Sequence, residues 1–218
     1  MYKTDSVSNN FNIKILELES DQEELKKLAP QFCDHKAKIQ QYLGGIYEEE
    51  EGLAQGKNQK IIALFRTSWM ELMKVEETVT DRINQTDLTQ KYKIVVAYDS
   101  CHQLPQAIGL VLLDRKEFEG RKTIELHSLI TSVWNLNCPQ NLNHPHQVRG
   151  AGSSIINFCK KLGVENHAKF LYLSAAFSAV PFYESHNFKL VNLEDRDRLL
   201  EEDPFAMNRI DMFLDLEV

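Results

Sequence analysis

The stretch His144-Pro-His-Gln-Val-Arg-Gly-Ala-Gly-Ser-Ser-Ile-Ile-Asn-Phe-Cys-Lys-Lys161 runs a glycine-containing turn straight into an amphipathic helix. Ile155, Ile156, Cys159 and Leu162 fall on one helical face, and Lys160 and Lys161 lie toward the C-terminal end, where positive charge complements the helix dipole. Ahead of that face, Gly150, Ala151 and Gly152 leave the main chain almost uncovered. The first N–H groups of a helix have no partner within it and stand at the positive end of the dipole. Small residues at that point make a candidate anion cradle, although a tight strand-to-helix connection would have the same composition.

Outward from this turn, the chain reads as alternating strands and helices. Toward the N-terminus, "FNIKILELES" is a first strand, and Leu25, Leu28, Phe32, Ile39 and Leu43 form a helical stripe from Gln22 that ends at Gly44-Gly45. Pro30 is expected to kink this helix or split it in two. Residues 46–59 read as an exposed loop, followed by a second helix with Ile62, Phe65, Trp69, Leu72 and Met73 on its apolar face. "YKIVVAYDS" and "AIGLVLLDRK" are β-branched or aliphatic runs around a turn-like "CHQLPQ", which predicts an antiparallel hairpin, and "TIELHSLIT" predicts the next strand.

Beyond the helix at 151, "KFLYLSAAF" reads as a strand and "AVPFYESHN" as a short helix that Asn187 can stop in a left-handed conformation. "FKLVNL" and the closing "RIDMFLDLEV" are two more strands, the latter with Ile210, Met212, Leu214 and Leu216 on one face. The fold class is therefore mixed α/β, with about seven strands and about four helices.

Composition narrows the function. The chain has 218 residues, 43% of them hydrophobic, with a formal net charge of −7. Such a charge argues against a nucleic-acid backbone as partner, because those binders need a basic face to displace counterions. No apolar run approaches the roughly 20 residues of a membrane span. The polar N-terminus lacks the order of a secretory signal, so the cytoplasm is the expected location. Cys33, Cys101, Cys138 and Cys159 form no CxxC pair, and reduced thiols are the simple reading. Cys138, His144 and His146 lie close together but have no fourth ligand at a characteristic spacing, so no metal is expected.

Two phosphate patterns fail at the glycine turn: GxxxxGK[ST] is absent, and GxGxxG needs a glycine where the chain has Ile155. What fits is Gln147-Val148-Arg149-Gly150-Ala151-Gly152 after "ELHSLIT" and ahead of "AVPFYESHNF". This order resembles the GNAT-type N-acetyltransferase superfamily, whose loop reads [QR]-x-x-G-x-[GA] and whose later helix reads close to A-x-x-x-[FY]-Y-E-x-x-G-F. The resemblance runs from Asn12 to the end. It implies a twisted, mostly antiparallel central sheet in one domain over 12–218, with a flexible N-terminus over 1–11 and an inserted loop over 132–145.

The resemblance also implies an acetyl-CoA-dependent acyltransferase acting on a primary amine by direct attack in a ternary complex. The coenzyme diphosphate would lie on Gln147, Val148, Arg149, Gly150, Ala151 and Gly152, with the hydroxyls of Ser153 and Ser154 added. The pantetheine arm would pair with the main chain of Leu129, Ile130 and Thr131 as strands do. Tyr183 falls where the family has a tyrosine that protonates the departing thiolate, though a tyrosine packed between helix and sheet reads the same way; Phe182 beside it is expected in the core.

Glu125 falls where many relatives have a general base. Strand alternation sets His127 on the same face, so either side chain can accept the amine's proton, or both can be structural. Where many relatives have an Asn upstream of the tyrosine, this chain has Ala176, and Ser174 or Ser178 is a substitute. Glu48 to Glu51 lies between helices that border the acceptor cleft in this family and would attract a cationic amine, unless it is only a solvated loop. The alternative function is a catalytically silent acyl-CoA-binding or protein-binding module on the same fold.

Overall fold

The structure is a computed structural model that describes residues 11–16, 21–50, 55–84, 92–99, 105–132, 135, 148–192, 194 and 209–216, with 42–50, 55–65 and 116 described as backbone only. In chain order the elements are β1 (Phe11–Leu16), α1 (Gln22–Glu50), α2 (Gln55–Ile83), β2 (Tyr92–Asp99), β3 (Pro105–Phe118), β4 (Arg121–Thr131), α3 (Ala151–Glu165), β5 (Phe170–Ala176), α4 (Val180–Glu184), β6 (Lys189–Leu190) and β7 (Arg209–Asp215). A 3-10 turn, Phe177–Ala179, leads into α4.

One seven-stranded sheet has the order β1-β2-β3-β4-β5-β7-β6. Every pairing is antiparallel except β4 with β5. Both faces of the sheet are covered, which explains the unbroken apolar run Ile94-Val95-Val96-Ala97 in β2, each residue fully buried. Val95 and Ala97 join Ile155, Ile156 and Cys159 of α3 in one core; Ile94 and Val96 join Leu25 and Leu28 of α1 and Leu72 of α2 in the other. The period-two pattern supplies both layers from one strand.

Several expectations are corrected. Gly44-Gly45 does not stop α1, which continues to Glu50, and Pro30 does not split it. The expected loop over residues 46–59 is helical at both ends, leaving 51–54 outside the described residues. Glycine disfavours a helix by only about 1 kcal/mol, a cost that packing along the rest of α1 overrides. Met73 is 43% exposed rather than on the buried face of α2, which is carried by Leu72, Val75 and Val79. The strand expected over 188–193 is reduced to Lys189–Leu190.

The closing strand β7 lies inside the sheet between β5 and β6, and β6 pairs with it only at Met212 and Phe213. Asn187 does take the left-handed conformation, with φ 70°. No helix among the described residues is long and apolar enough to cross a membrane. The Cys138, His144 and His146 group and the residues 1–10 lie outside the described residues; among those described, no cluster of metal-ligating side chains occurs.

Candidate functional site

The site begins with a break in the sheet. β4 pairs with β5 only at Thr123↔Phe170, Ile124↔Leu171 and Glu125↔Tyr172. Toward its C-terminus β4 keeps its β3 partners, with Gly109↔Leu129, Ile108↔Ile130 and Ala107↔Thr131, while the opposite side has no described strand. An unpaired strand side offers N–H and C=O groups to any extended ligand.

A register shift lies between Leu110↔Ser128 and Val111↔Leu126 and makes His127 the extra residue of a bulge. Its effect is to reverse the alternation. Ile124 and Leu126 face the α3 core, whereas Ile130 faces the α1 and α2 core and Leu129 packs on the α3 side.

A cleft of ≈ 700 Å³ opens where the strands part. Its walls are Thr67, Ser68 and Glu71 of α2, Leu129, Ile130 and Thr131 of β4, Asn135, the turn Val148 to Ser153, and Ser178, Ala179, Phe182 and Tyr183. Every described residue expected to hold the coenzyme, save Ser154, therefore lies on this one cleft; Gln147 falls outside the described residues.

Gly150 caps α3 with φ 94°, a left-handed conformation that L residues rarely adopt. Gly152 is closely packed: a Cβ there would stand 3.2 Å from Cζ of Phe182 and 3.5 Å from Cγ2 of Thr131. The Ser154 N–H closes the first bond of the helix onto the Gly150 carbonyl at 2.9 Å, so the N–H groups of Ala151, Gly152 and Ser153 are those that the helix itself cannot satisfy. Arg149 is exposed at the rim of the cleft.

The hydroxyls at the helix start are otherwise engaged. Ser154 Oγ donates to the Gly150 carbonyl at 3.0 Å, and Ser153 Oγ pairs with His186 Nε2 at 2.9 Å. Burial and then Lys160 push the His186 pKa below its ordinary value, which keeps that ring neutral. The Ser154 hydroxyl is thus spent within the helix, and that of Ser153 is held against His186.

Tyr183 lines the cleft while only 9% exposed, held edge-on by Phe182 (centroids 5.2 Å apart) and Phe188 (5.7 Å). Burial, followed by nearby Cys159, raises its pKa above the ordinary phenol value, so the hydroxyl keeps its proton. Phe182, expected in the core, is instead 36% exposed and forms part of the cleft wall. The short helix α4 turns only one face inward, and Val180 and Tyr183 occupy it. Cys159 is fully buried as expected, its thiol pushed up to about 12 by burial.

Glu125 and His127 are not among the cleft-lining residues. Glu125 accepts from Arg115 Nε on Oε2 at 2.7 Å and meets His127 Nδ1 with Oε1 at 2.9 Å. The His127 contact, then Arg115, holds the carboxyl below its ordinary pKa against the opposing effect of burial. Arg115 also lies 3.3 Å over the Tyr172 ring, and His127 stacks on Tyr92 with centroids 4.7 Å apart.

The carboxylate that does line the cleft is Glu71, which the sequence reading did not single out. It is 8% exposed, accepts from Ser128 Oγ on one oxygen, and on the other meets Arg209 and, at 3.3 Å, Lys74 Nζ. These partners lie 57 and 138 residues away for Ser128 and Arg209, so no local pattern announces them. Ser178 lines the cleft; Ser174 instead offers its carbonyl to Arg209 Nη1 at 3.0 Å.

No family model matches the sequence, and no curated protein matches it. Solved structures do. A protein assigned to the GNAT family of acetyltransferases from Desulfovibrio desulfuricans superposes with a TM-score of 0.51 at 11% identity, over 95% of this chain and 99% of that one. An acetyltransferase from Streptococcus agalactiae is similar with a TM-score of 0.49 at 13% identity, over 95% and 99% of the two chains. Mutant forms of a spermidine/spermine N-acetyltransferase from Vibrio cholerae give 0.49 at 12% identity, over 95% and 94%. The fold of this chain is the GNAT acetyltransferase fold.

Proposed function

We propose that the chain is an acetyl-CoA-dependent N-acyltransferase that acylates a primary amine by direct attack. The observation that carries this reading is the single cleft uniting the open side of β4, the first turn of α3 and the buried phenol of Tyr183. The diphosphate is assigned to the N–H groups of Ala151, Gly152 and Ser153, with Arg149 adding positive charge. The pantetheine arm is assigned to the main chain of Leu129 to Thr131.

In the reaction the amine nitrogen bonds to the thioester carbonyl carbon, the C–S bond breaks, and the sulfur leaves with a proton from the Tyr183 hydroxyl. No hydrogen bond to another described residue commits that hydroxyl, and a positioned acid is worth roughly 10² to 10⁴ in rate. The amine's proton is assigned to the Glu125–His127 pair by way of water. With one Glu125 oxygen on Arg115 and the other on His127 Nδ1, Nε2 of His127 is the basic atom, and Glu125 positions it. The Glu71 carboxyl group, beside Arg209 and Lys74, is assigned to receive the incoming ammonium.

Two measurements test the reading: the melting temperature with acetyl-CoA, and thiol release from acetyl-CoA across a panel of primary amines. Stabilisation with amine-dependent release is expected, because a ligand that binds only the folded state raises its stability. Stabilisation with no release under any amine would favour the silent module, for which Ala176 speaks. No stabilisation by any acyl-CoA would end the enzymatic reading and the acyl-CoA-binding module, and leave a protein-binding module.

A further inference from the structure

The insert between β4 and α3 enters the site at one described point. Asn135 lines the cleft, and its Oδ1 accepts the main-chain N–H of Val148 at 2.8 Å. Its Nδ2 donates to Gln106 Oε1 at 2.8 Å and lies 3.3 Å from the Gln106 carbonyl. The Asn135 N–H donates to the Ser132 carbonyl at 2.8 Å, and Ser132 in turn holds the start of β3, through its N–H to the Gln106 carbonyl at 2.9 Å and its Oγ to the Pro105 carbonyl at 2.7 Å. One amide side chain thus joins three segments: the entry of the insert, the first residues of β3, and the last residue before the anion turn.

An amide does this where a carboxylate cannot, because it both accepts and donates, and it does so from two separate atoms where a hydroxyl has only one. The Gln106 side is fixed: that residue is fully buried. On the other side the Val148 N–H is held by Asn135 Oδ1.

We propose that Asn135 is a positioning residue for diphosphate binding: it clamps both ends of the insert and sets the entry to Gly150, so that the amides of Ala151 to Ser153 stand ready for the ligand. The proposal rests on the acyl-CoA reading above. It also removes Val148 from the ligand's donors, because Asn135 already holds that N–H. The insert accordingly contributes to the coenzyme side of the cleft, whatever the rest of it does.

The test compares two donors on the full chain. Asn135→Ala is expected to weaken binding of acetyl-CoA about tenfold, the scale of one lost hydrogen bond plus a loosened turn, and to leave binding of S-acetylpantetheine, which has no diphosphate, unchanged. Equal weakening of both donors, or of neither, would overturn the proposal.

Should the variant not fold, amide hydrogen exchange on the parent protein decides. The Val148 amide is expected to be protected without ligand and unchanged by CoA, while the amides of Ala151 to Ser153 gain protection when CoA is added. A Val148 amide that exchanges freely until CoA is added would refute it. Failure of the parent to bind any acyl-CoA would instead sink the function on which the proposal rests.

Discussion

The loop side of the cleft is lined by the turn Val148 to Ser153, where the N–H groups of Ala151 to Ser153 have no partner within the helix; the α2 side is lined by Thr67, Ser68 and Glu71. The first wall is written into the chain by what is missing. Gly150 holds a φ of 94°, which favours glycine, and at Gly152 a Cβ would press on Phe182 at 3.2 Å, so the small residues there are visible as a motif. The second wall depends on partners far along the chain: Glu71 is fixed by Ser128 and Arg209. Main-chain sites leave a local mark in sequence, whereas side-chain sites assembled across elements do not.

The largest effect on this comparison is expected at the hinge between the walls. Tyr183→Phe should reduce the acyl-transfer rate roughly 10² to 10⁴-fold while acetyl-CoA still raises the melting temperature as in the parent. An unchanged rate would remove Tyr183 as the acid. Next, Gly150→Glu should weaken acetyl-CoA binding about 100-fold, since it adds backbone strain and a negative charge at an anion site; titration calorimetry reads this directly.

On the opposite wall, Glu71→Gln should raise KM for a primary alkylamine about tenfold, the scale of a lost charge-assisted hydrogen bond, with KM for acetyl-CoA held. If both KM values move together, the two walls are not separable. Away from both walls, His35 should affect stability alone. It is 9% exposed, and burial, with Lys38 second, pushes its pKa from 6.5 down to about 4.

The unfolded chain therefore binds more protons than the folded one between those two values. Stability falls as pH drops through this window, by up to about 3 kcal/mol, and the loss is complete below it. Melting temperatures of the parent and of His35→Leu over pH 7 to 4 should diverge accordingly, with the variant less sensitive to acid.

The order of strands and helices was legible because the strands are short β-branched or aliphatic runs, some alternating, and the helices carry apolar stripes. Asn187 was legible as a left-handed stop, and Cys159 as a buried face residue, for the same local reasons. Gly44-Gly45 misled because a weak local penalty was read as a boundary although α1 runs on through it.

Phe182 misled because an aromatic beside a buried tyrosine looks like core until the length of α4 decides which face points inward. The bulge at His127 was hidden as well, since a register shift depends on the neighbouring strand and not on "ELHSLI" itself. Glu125 was found by its place in the strand, but its commitment to Arg115 and His127 is tertiary.

A solved complex with acetyl-CoA tests the central claim most directly. The diphosphate is predicted within hydrogen-bonding distance of the amides of Ala151, Gly152 and Ser153, with the thioester in the cleft toward Tyr183. A nucleotide seated elsewhere on the sheet, with those amides facing only solvent, would contradict it.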